Sequence, residues 1–300
     1  MRLLQHGYSV NTTIRSRSSK KNISFLTNLP KASEKLHVFH ADMDDPDSFG
    51  PAIEGCVGVF HVAHPYNDKE TEETITNRSV NAMLGILKAC LSCKTVRRVI
   101  YTSSAAAVMY TEKGPSDVLD EATWSEVDFI RSSNVIGASY SVSKTLTEKA
   151  ALEFSEKHCL DVVTVIPSLI LGPFICDGCP GSVKSSLAMF VEPVQYFENT
   201  PFVHIDDVAS AHIFLFEHTE AKGRYICSAV ETATENLIEL ISKKHPESQI
   251  LSTSSSAAAA VKLRSLSSKK LLDAGLRFKH GVEEMFDEAI ECCKQKGLLL

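Results

Sequence analysis

Tyr140 and Lys144 stand four residues apart in a stretch rich in alanine, leucine, lysine and glutamate, 140–157. On a helix that spacing puts both side chains on one face, about 6 Å apart at Cβ. A phenol with a pKa of about 10 donates poorly at neutral pH, and a neighbouring ammonium favours its phenolate, which would bring it toward the working range. Such a pair can hand a proton to a carbonyl oxygen, and the lysine can also donate to a ribose. Two other segments end where chemistry would be placed. Tyr101-Thr-Ser-Ser104 closes an apolar run, so its serines fall at a strand end, where a hydroxyl can polarise a carbonyl. Pro167-Ser-Leu-Ile-Leu-Gly-Pro173 closes another with a turn able to pass close to a flat ring.

The elements that must hold these residues alternate. Residues 9–15, 36–42, 58–64, 96–104 and 162–172 are short, β-branched and nearly continuously apolar, as strands buried on both faces are. Between them 47–54, 74–93 and 140–157 read as helices; in 74–93, Ile75, Val80, Met83, Leu84, Leu87 and Leu91 follow a period near 3.6. Strand–helix–strand alternation implies right-handed crossovers and an α/β doubly wound parallel sheet of Rossmann type. The second half changes character: helices at 206–218, 233–245 and 282–296, a strand at 224–227, and a low-complexity loop at 252–260. We therefore expect a nucleotide-binding domain over 1–172 and a smaller substrate lobe over 173–300, some of whose segments return to the main domain.

Composition narrows the function classes. A net charge of -6 offers no basic face to a nucleic acid. No apolar run is long enough to span a bilayer, and MRLLQHGYSV does not read as a signal peptide. The nine cysteines are expected to be free thiols of a cytoplasmic protein, and the sequons at Asn11, Asn22 and Asn77 chance matches. Cys90 with Cys93 and Cys176 with Cys179 have CxxC spacing, but one pair ends an amphipathic helix and the other lies in a Gly/Pro-rich loop, so no metal site is expected.

Tyr-x-x-x-Lys after a strand ending Thr-Ser-Ser, then Pro-x-x-x-x-Gly-Pro, resembles the extended short-chain dehydrogenase/reductases of the NAD-dependent epimerase/dehydratase family. The phrases SVNTTIRS, SFLTNLPKASEKLHVFHADMDDPDSF, AIEGCVGVFHVAHP, ILKAC and SKTLTEKA are similar to the plant dihydroflavonol, anthocyanidin, cinnamoyl-CoA and vestitone reductase group, to vestitone reductase above all. This resemblance implies NADPH-dependent reduction of a small aromatic, flavonoid- or isoflavonoid-like ketone. Ser104, Tyr140 and Lys144 match the catalytic trio, with Ser103 the fallback for the serine. Arg15 falls where the ribose 2′-phosphate of NADP would lie, and Lys21, with Lys20 or Arg17 as alternates, fits a second phosphate contact. Asp42 and Met43 match the adenine side, Val62, Ala63 and His64 the turn beside the cofactor, Pro167, Ser168, Leu169 and Ile170 the nicotinamide segment, and Ser182 a later contact.

The sequence departs from that family in three places. His64 stands where the family usually has Thr or Ser. Met109 replaces an Asn that contacts substrate hydroxyls in dihydroflavonol reductases, which points to a less hydroxylated ketone. The family's opening strand and Gly-x-x-Gly-x-x-Gly turn have no counterpart, and MRLLQHG resembles the end of the helix that follows them. The expectation is a truncated N-terminus lacking about 20–25 residues, with the sheet's central first strand among them. Two other functions fit this reading: reduction of a cinnamoyl-CoA-type thioester or aldehyde, and a cofactor-deficient remnant acting by binding a partner.

Overall fold

The computed structural model describes residues 1–15, 22–65, 67, 69–112, 118–133, 137–188, 199–245 and 264–298. The strands of concern are β1 (Val10–Ile14), β2 (Leu36–His40), β3 (Gly58–His61), β4 (Arg98–Thr102), β5 (Val162–Pro167), β6 (Leu169–Leu171), β7 (Thr200–His204), β8 (Gly223–Cys227) and β9 (Val230–Thr232). The longer helices are α1 (Glu72–Ser92), α2 (Ala138–His158), α3 (Gly181–Ala188), α4 (Ile205–Glu217), α5 (Thr234–Lys244) and α6 (Val282–Gln295). The chain divides into two compact units, one of residues 1–114, 121–166 and 210–225, the other of 115–120, 167–209 and 226–300.

In the first unit β3, β4 and β5 are parallel neighbours in a sheet ordered β3-β4-β5-β8. β5 is buried at every residue and β4 at all but its last, which is why both read as nearly continuous apolar runs. Helices α1 and α2 pack on this sheet through Met83, Ile86, Leu87, Ala151 and Phe154, which close on Val99, Tyr101 and Val162. Each large apolar side chain buried there stabilises the fold by about 1.5–3 kcal/mol. Thr71 caps α1, its hydroxyl accepting the Thr74 N–H at 3.2 Å. α2 starts from Gly137, whose φ of +73° is a left-handed conformation that favours glycine. The parallel sheet with flanking helices is the Rossmann-like doubly wound class the alternation implied.

β1 and β2 form their own parallel pair, with Val10 opposite Leu36 and Ile14 opposite His40. Among the described residues β1 has no ladder to β3. Residues 9–13 and 57–63 instead line one cavity of ≈ 600 Å³, closed by Phe49, Ala52, Ile53, Ile86 and Phe216. β1 and β3 are correspondingly only half-buried, unlike β4 and β5.

The second unit is built on a sheet ordered β9-β7-β6, in which β6 runs parallel and β9 antiparallel to β7. Phe202, Met285, Phe286, Ala289, Ile290, Leu237 and Ile241 form its core with Leu171 and Val183.

Three sequence expectations change. The single strand over 162–172 is two strands in two sheets, because the chain leaves the first ladder at Pro167, which has no N–H to continue it. The helix over 47–54 is a 3-10 turn, Pro46–Phe49, followed by one turn of helix, Gly50–Ile53, since Pro51 starts the second piece afresh. β7 was not anticipated: Pro201 inside so short a run argues against a strand. The loop at 252–260 lies outside the described residues.

Candidate active site

The carboxyl end of β4 and the first turns of α2 bring the chemistry together. β4 ends at Thr102, and its backbone carbonyl accepts a hydrogen bond from Lys144 Nζ at 2.9 Å. Lys144 is 3 % exposed, and its ammonium lies 5.2 Å from the Tyr101 ring centre and 5.9 Å from that of Tyr140. Ser104 begins the next turn, its Oγ accepting the Ala106 N–H at 3.2 Å and sharing a hydrogen bond with the Tyr140 hydroxyl. The His64 ring stands edge-on to Tyr140, centres 5.2 Å apart. The structure therefore brings Ser104, Tyr140, Lys144 and His64 together. Ser103 does not join them: it is buried and donates to Glu148 Oε2 at 2.6 Å.

Burial sets the electrostatics. Desolvation lowers Lys144 to about 7, with the Glu148 carboxylate pulling the other way. The same cause brings His61 to about 4 and His64 to about 3, so both imidazoles are neutral at physiological pH. The expectation that Lys144 lowers the Tyr140 phenol is corrected. Burial raises Tyr140, and only the Ser104 hydrogen bond opposes it. The ammonium is committed to the Thr102 carbonyl and is itself desolvated, so it does not offset the cost of burying a phenolate. Tyr140 is held as a protonated phenol, the form a proton donor needs.

At the far end of β1, Arg15 is largely exposed, and its guanidinium lies 3.9 Å from Asp42 Oδ1 just beyond β2. Asp42 is fixed by its own turn: its N–H donates to Ser48 Oγ at 2.9 Å, and its Oδ1 accepts the Asp44 N–H at 3.1 Å. Met43 is buried, whereas Val62 and Ala63 are exposed next to His64. Lys21, Lys20 and Arg17 lie outside the described residues. Pro167, Ser168, Leu169, Ile170 and Ser182 belong to the second unit. There the Ser168 N–H donates to the Cys227 carbonyl at 3.2 Å, and Ser182 sits half-buried on α3. Met109 is half-buried beside Tyr110, whose hydroxyl shares a hydrogen bond with Ser141 of α2.

Cys90 is a core residue, its thiol pushed up to about 12 by burial. Among the described residues, His204, Asp206 and His280 have ligating atoms within 4.8 Å of one another. Their hydrogen bonds give this group a structural task. His204 Nδ1 accepts the Asp206 N–H at 3.2 Å, which tops α4, and His280 Nδ1 meets buried Asp207 at 3.2 Å. With Nδ1 accepting, a neutral His204 carries its proton on Nε2, which faces Glu288 Oε2 at 3.3 Å.

Sequence reasoning missed the group beneath the trio. Glu148 is fully buried one turn beyond Lys144 and accepts from Ser103, from Thr164 Oγ1 at 2.6 Å and from Arg224 Nε at 3.0 Å. Thr102 Oγ1 pairs with His212 Nε2 at 2.6 Å. The spacing of Tyr140, Lys144 and Glu148 on one helix face was a visible signal for the first, but the partners that bury Glu148 come from distant segments.

Residues 1–229 match the model of the NAD dependent epimerase/dehydratase family. The chain is 51 % identical to vestitone reductase of Medicago sativa over 99 % of its own length and 93 % of that protein. It is 42 % identical to a dihydroflavonol 4-reductase of Arabidopsis thaliana over all of its length and 79 % of that protein. The crystal structure of the Medicago sativa vestitone reductase superposes with a TM-score of 0.87, covering 99 % of this chain and 94 % of that one. A yeast methylglyoxal/isovaleraldehyde reductase solved with NADPH shares the fold, with a TM-score of 0.81 at 23 % identity, covering 99 % of this chain and 95 % of that one. No helix among the described residues is long and apolar enough to cross a membrane.

Proposed function

Because the chain belongs to the NAD dependent epimerase/dehydratase family and is an oxidoreductase of it, we propose that it reduces the ketone of a flavonoid- or isoflavonoid-like compound with NADPH. The observation that carries this reading is the Ser104–Tyr140–Lys144 group, its lysine buried and its serine and tyrosine half-buried, at the carboxyl end of a parallel strand, where open α/β sheets bind ligands. A nicotinamide dinucleotide fits two features of the same unit. His64 Nε2 is buried without a hydrogen-bond partner beside Tyr140, and Lys144 is a buried cation facing the same place. Arg15, exposed at the end of β1, suits the 2′-phosphate that distinguishes NADPH. Lys144 and His64 would hold the nicotinamide ribose side, and Arg15 with Asp42 the adenosine side.

When bound, the cofactor supplies the hydride that reduces the carbonyl carbon. The protein's residues supply the rest. Ser104 Oγ donates to the carbonyl oxygen and orients it. Tyr140 Oη, already protonated, gives its proton to that oxygen as negative charge develops there. Lys144 stabilises the phenolate left behind, so its charge matters in the transition state more than in the resting site. The deciding assay is NADPH oxidation with vestitone and with a dihydroflavonol, products identified by mass spectrometry. Turnover of neither, by protein that binds NADPH, would overturn the substrate class.

Two expectations accompany this reading. Arg15→Ala should reduce the preference for NADPH over NADH by about 10- to 150-fold in kcat/KM, the equivalent of losing a charge-assisted contact of about 1.5–3 kcal/mol. Equal use of both cofactors by the parent protein would remove Arg15 from this role. The second concerns pH. With Lys144 titrating at about 7, its ammonium is present below that pH and lost above it. The reduction rate should therefore fall as pH rises through about 7, and Lys144→Met should abolish that limb while lowering kcat/KM. Stability moves the opposite way. The unfolded lysine keeps its proton up to about 10.4, so between about 7 and that value the unfolded state binds more protons, and rising pH relieves the cost of the buried charge. Melting temperatures of the parent and Lys144→Met across that window check the sign.

A further inference from the structure

The adjacent serines at the end of β4 differ in fate, and Glu148 is the reason. Ser103 Oγ donates to Glu148 Oε2 at 2.6 Å, and Thr164 Oγ1 from the neighbouring strand donates to Oε1 at 2.6 Å. Arg224 lies against both oxygens, Nε to Oε1 at 3.0 Å and Nη2 to Oε2 at 3.4 Å. The same guanidinium reaches the Ala107 carbonyl at 3.4 Å, in the turn that Ser104 opens, and the Glu121 and Thr123 carbonyls at 2.8 and 2.6 Å. It stacks on Trp124, 3.5 Å from the ring centre. One buried carboxylate thus ties the helix carrying Tyr140 and Lys144 to β4, to β5 and, through Arg224, to the turn that presents Ser104.

We infer that Glu148 is the positioning residue of the active site: it draws Ser103 inward so that Ser104 meets Tyr140, and it holds a counter-charge beneath Lys144. This rests on the reductase reading above. The groups facing Lys144 leave Glu148 alone in the second task. From its own helix come Glu148 and Tyr140, from β3 and the turn after it the neutral His61 and His64, and from β4 Tyr101 and the Thr102 carbonyl. Among the described residues Glu148 supplies the opposite charge, and burial works against the ammonium.

The test uses the full chain and its Glu148→Gln, Glu148→Asp, Ser103→Ala and Tyr140→Phe variants, with NADPH oxidation followed across the neutral range and vestitone as the carbonyl probe. Glu148→Gln should lower kcat by on the order of 10- to 100-fold, with KM for vestitone within about twofold, and move the Lys144 limb to lower pH. Glu148→Asp keeps the charge beside Arg224 but withdraws from Ser103, so kcat should fall while the limb stays. Ser103→Ala should do the same. A 15N-lysine NMR titration, with the resonance identified by its loss in Lys144→Met, reads the shift without turnover. A Glu148→Gln protein with lowered melting temperature but parental kcat and limb would reduce Glu148 to a structural role and overturn the inference. If the Gln variant does not fold, parental kcat in both Glu148→Asp and Ser103→Ala overturns it equally. Tyr140→Phe separates the two readings: turnover surviving there sinks the reductase mechanism, while the NMR titration still decides the claim about Glu148.

Discussion

Replacing Arg98 with methionine is expected to cost about 3–5 kcal/mol of folding stability. Arg98 opens β4 and is 5 % exposed. Its Nε donates to Asp161 Oδ2 at 2.8 Å, Nη1 to the Leu215 and His218 carbonyls at 2.7 and 2.6 Å, and Nη2 to the Thr219 and Ala221 carbonyls at 3.0 and 3.1 Å. These carbonyls close α4, where the helix's own donors have run out and the dipole favours a cation. Methionine fills a similar volume and makes none of the bonds, leaving carbonyls buried without donors at about 1–3 kcal/mol each. Lysine keeps the charge but not the planar fork, so Arg98→Lys should recover only part of the loss. Urea unfolding at equal m-value reads the difference directly. A shift below about 1 kcal/mol for Arg98→Met would mean that water replaces the guanidinium at the end of α4.

The same strand explains how much of the molecule was legible beforehand. β4 carries Arg98 at one end and Ser104 just past the other, and its interior is a plain apolar run, so the strand follows from hydrophobicity and its direction and rim position from the strand–helix–strand alternation. α1 and α2 were legible for a related reason, since a buried stripe at helical period leaves a pattern over about twenty residues. Tyr140 and Lys144 were visible because one helix holds both. Legibility stopped where the deciding partner is distant in sequence. Nothing in Thr-Ser-Ser says which serine faces the phenol; Glu148, 45 residues further on, makes that choice. Nor does the Tyr-x-x-x-Lys spacing reveal that the ammonium donates to a β4 carbonyl, so the direction of the Tyr140 shift came out opposite to the pairwise argument. Pro167 marked a turn but not a change of sheet, because a proline reports only the hydrogen bond it cannot make.

Tyr140→Phe is expected to lower kcat by on the order of 10²-fold or more with KM nearly unchanged. The substitution removes one oxygen and leaves the ring, so the edge-on contact with His64 and the proximity of Lys144 persist. Cofactor affinity, measured by NADPH fluorescence, should therefore survive. The hydroxyl lost is both kept protonated by burial and hydrogen-bonded to Ser104. His61 and His64 cannot replace it, because at about 4 and 3 they carry no spare proton at neutral pH. Lys144 cannot replace it cleanly either, since one of its protons is given to the Thr102 carbonyl and its charge is needed once a phenolate forms. Ser104→Ala should cost less than Tyr140→Phe, and the double variant no more than Tyr140→Phe alone, because the serine acts on a carbonyl whose protonation Tyr140 controls. Additive losses in the double variant, or near-parental turnover in Tyr140→Phe, would move the proton donor elsewhere in the chain.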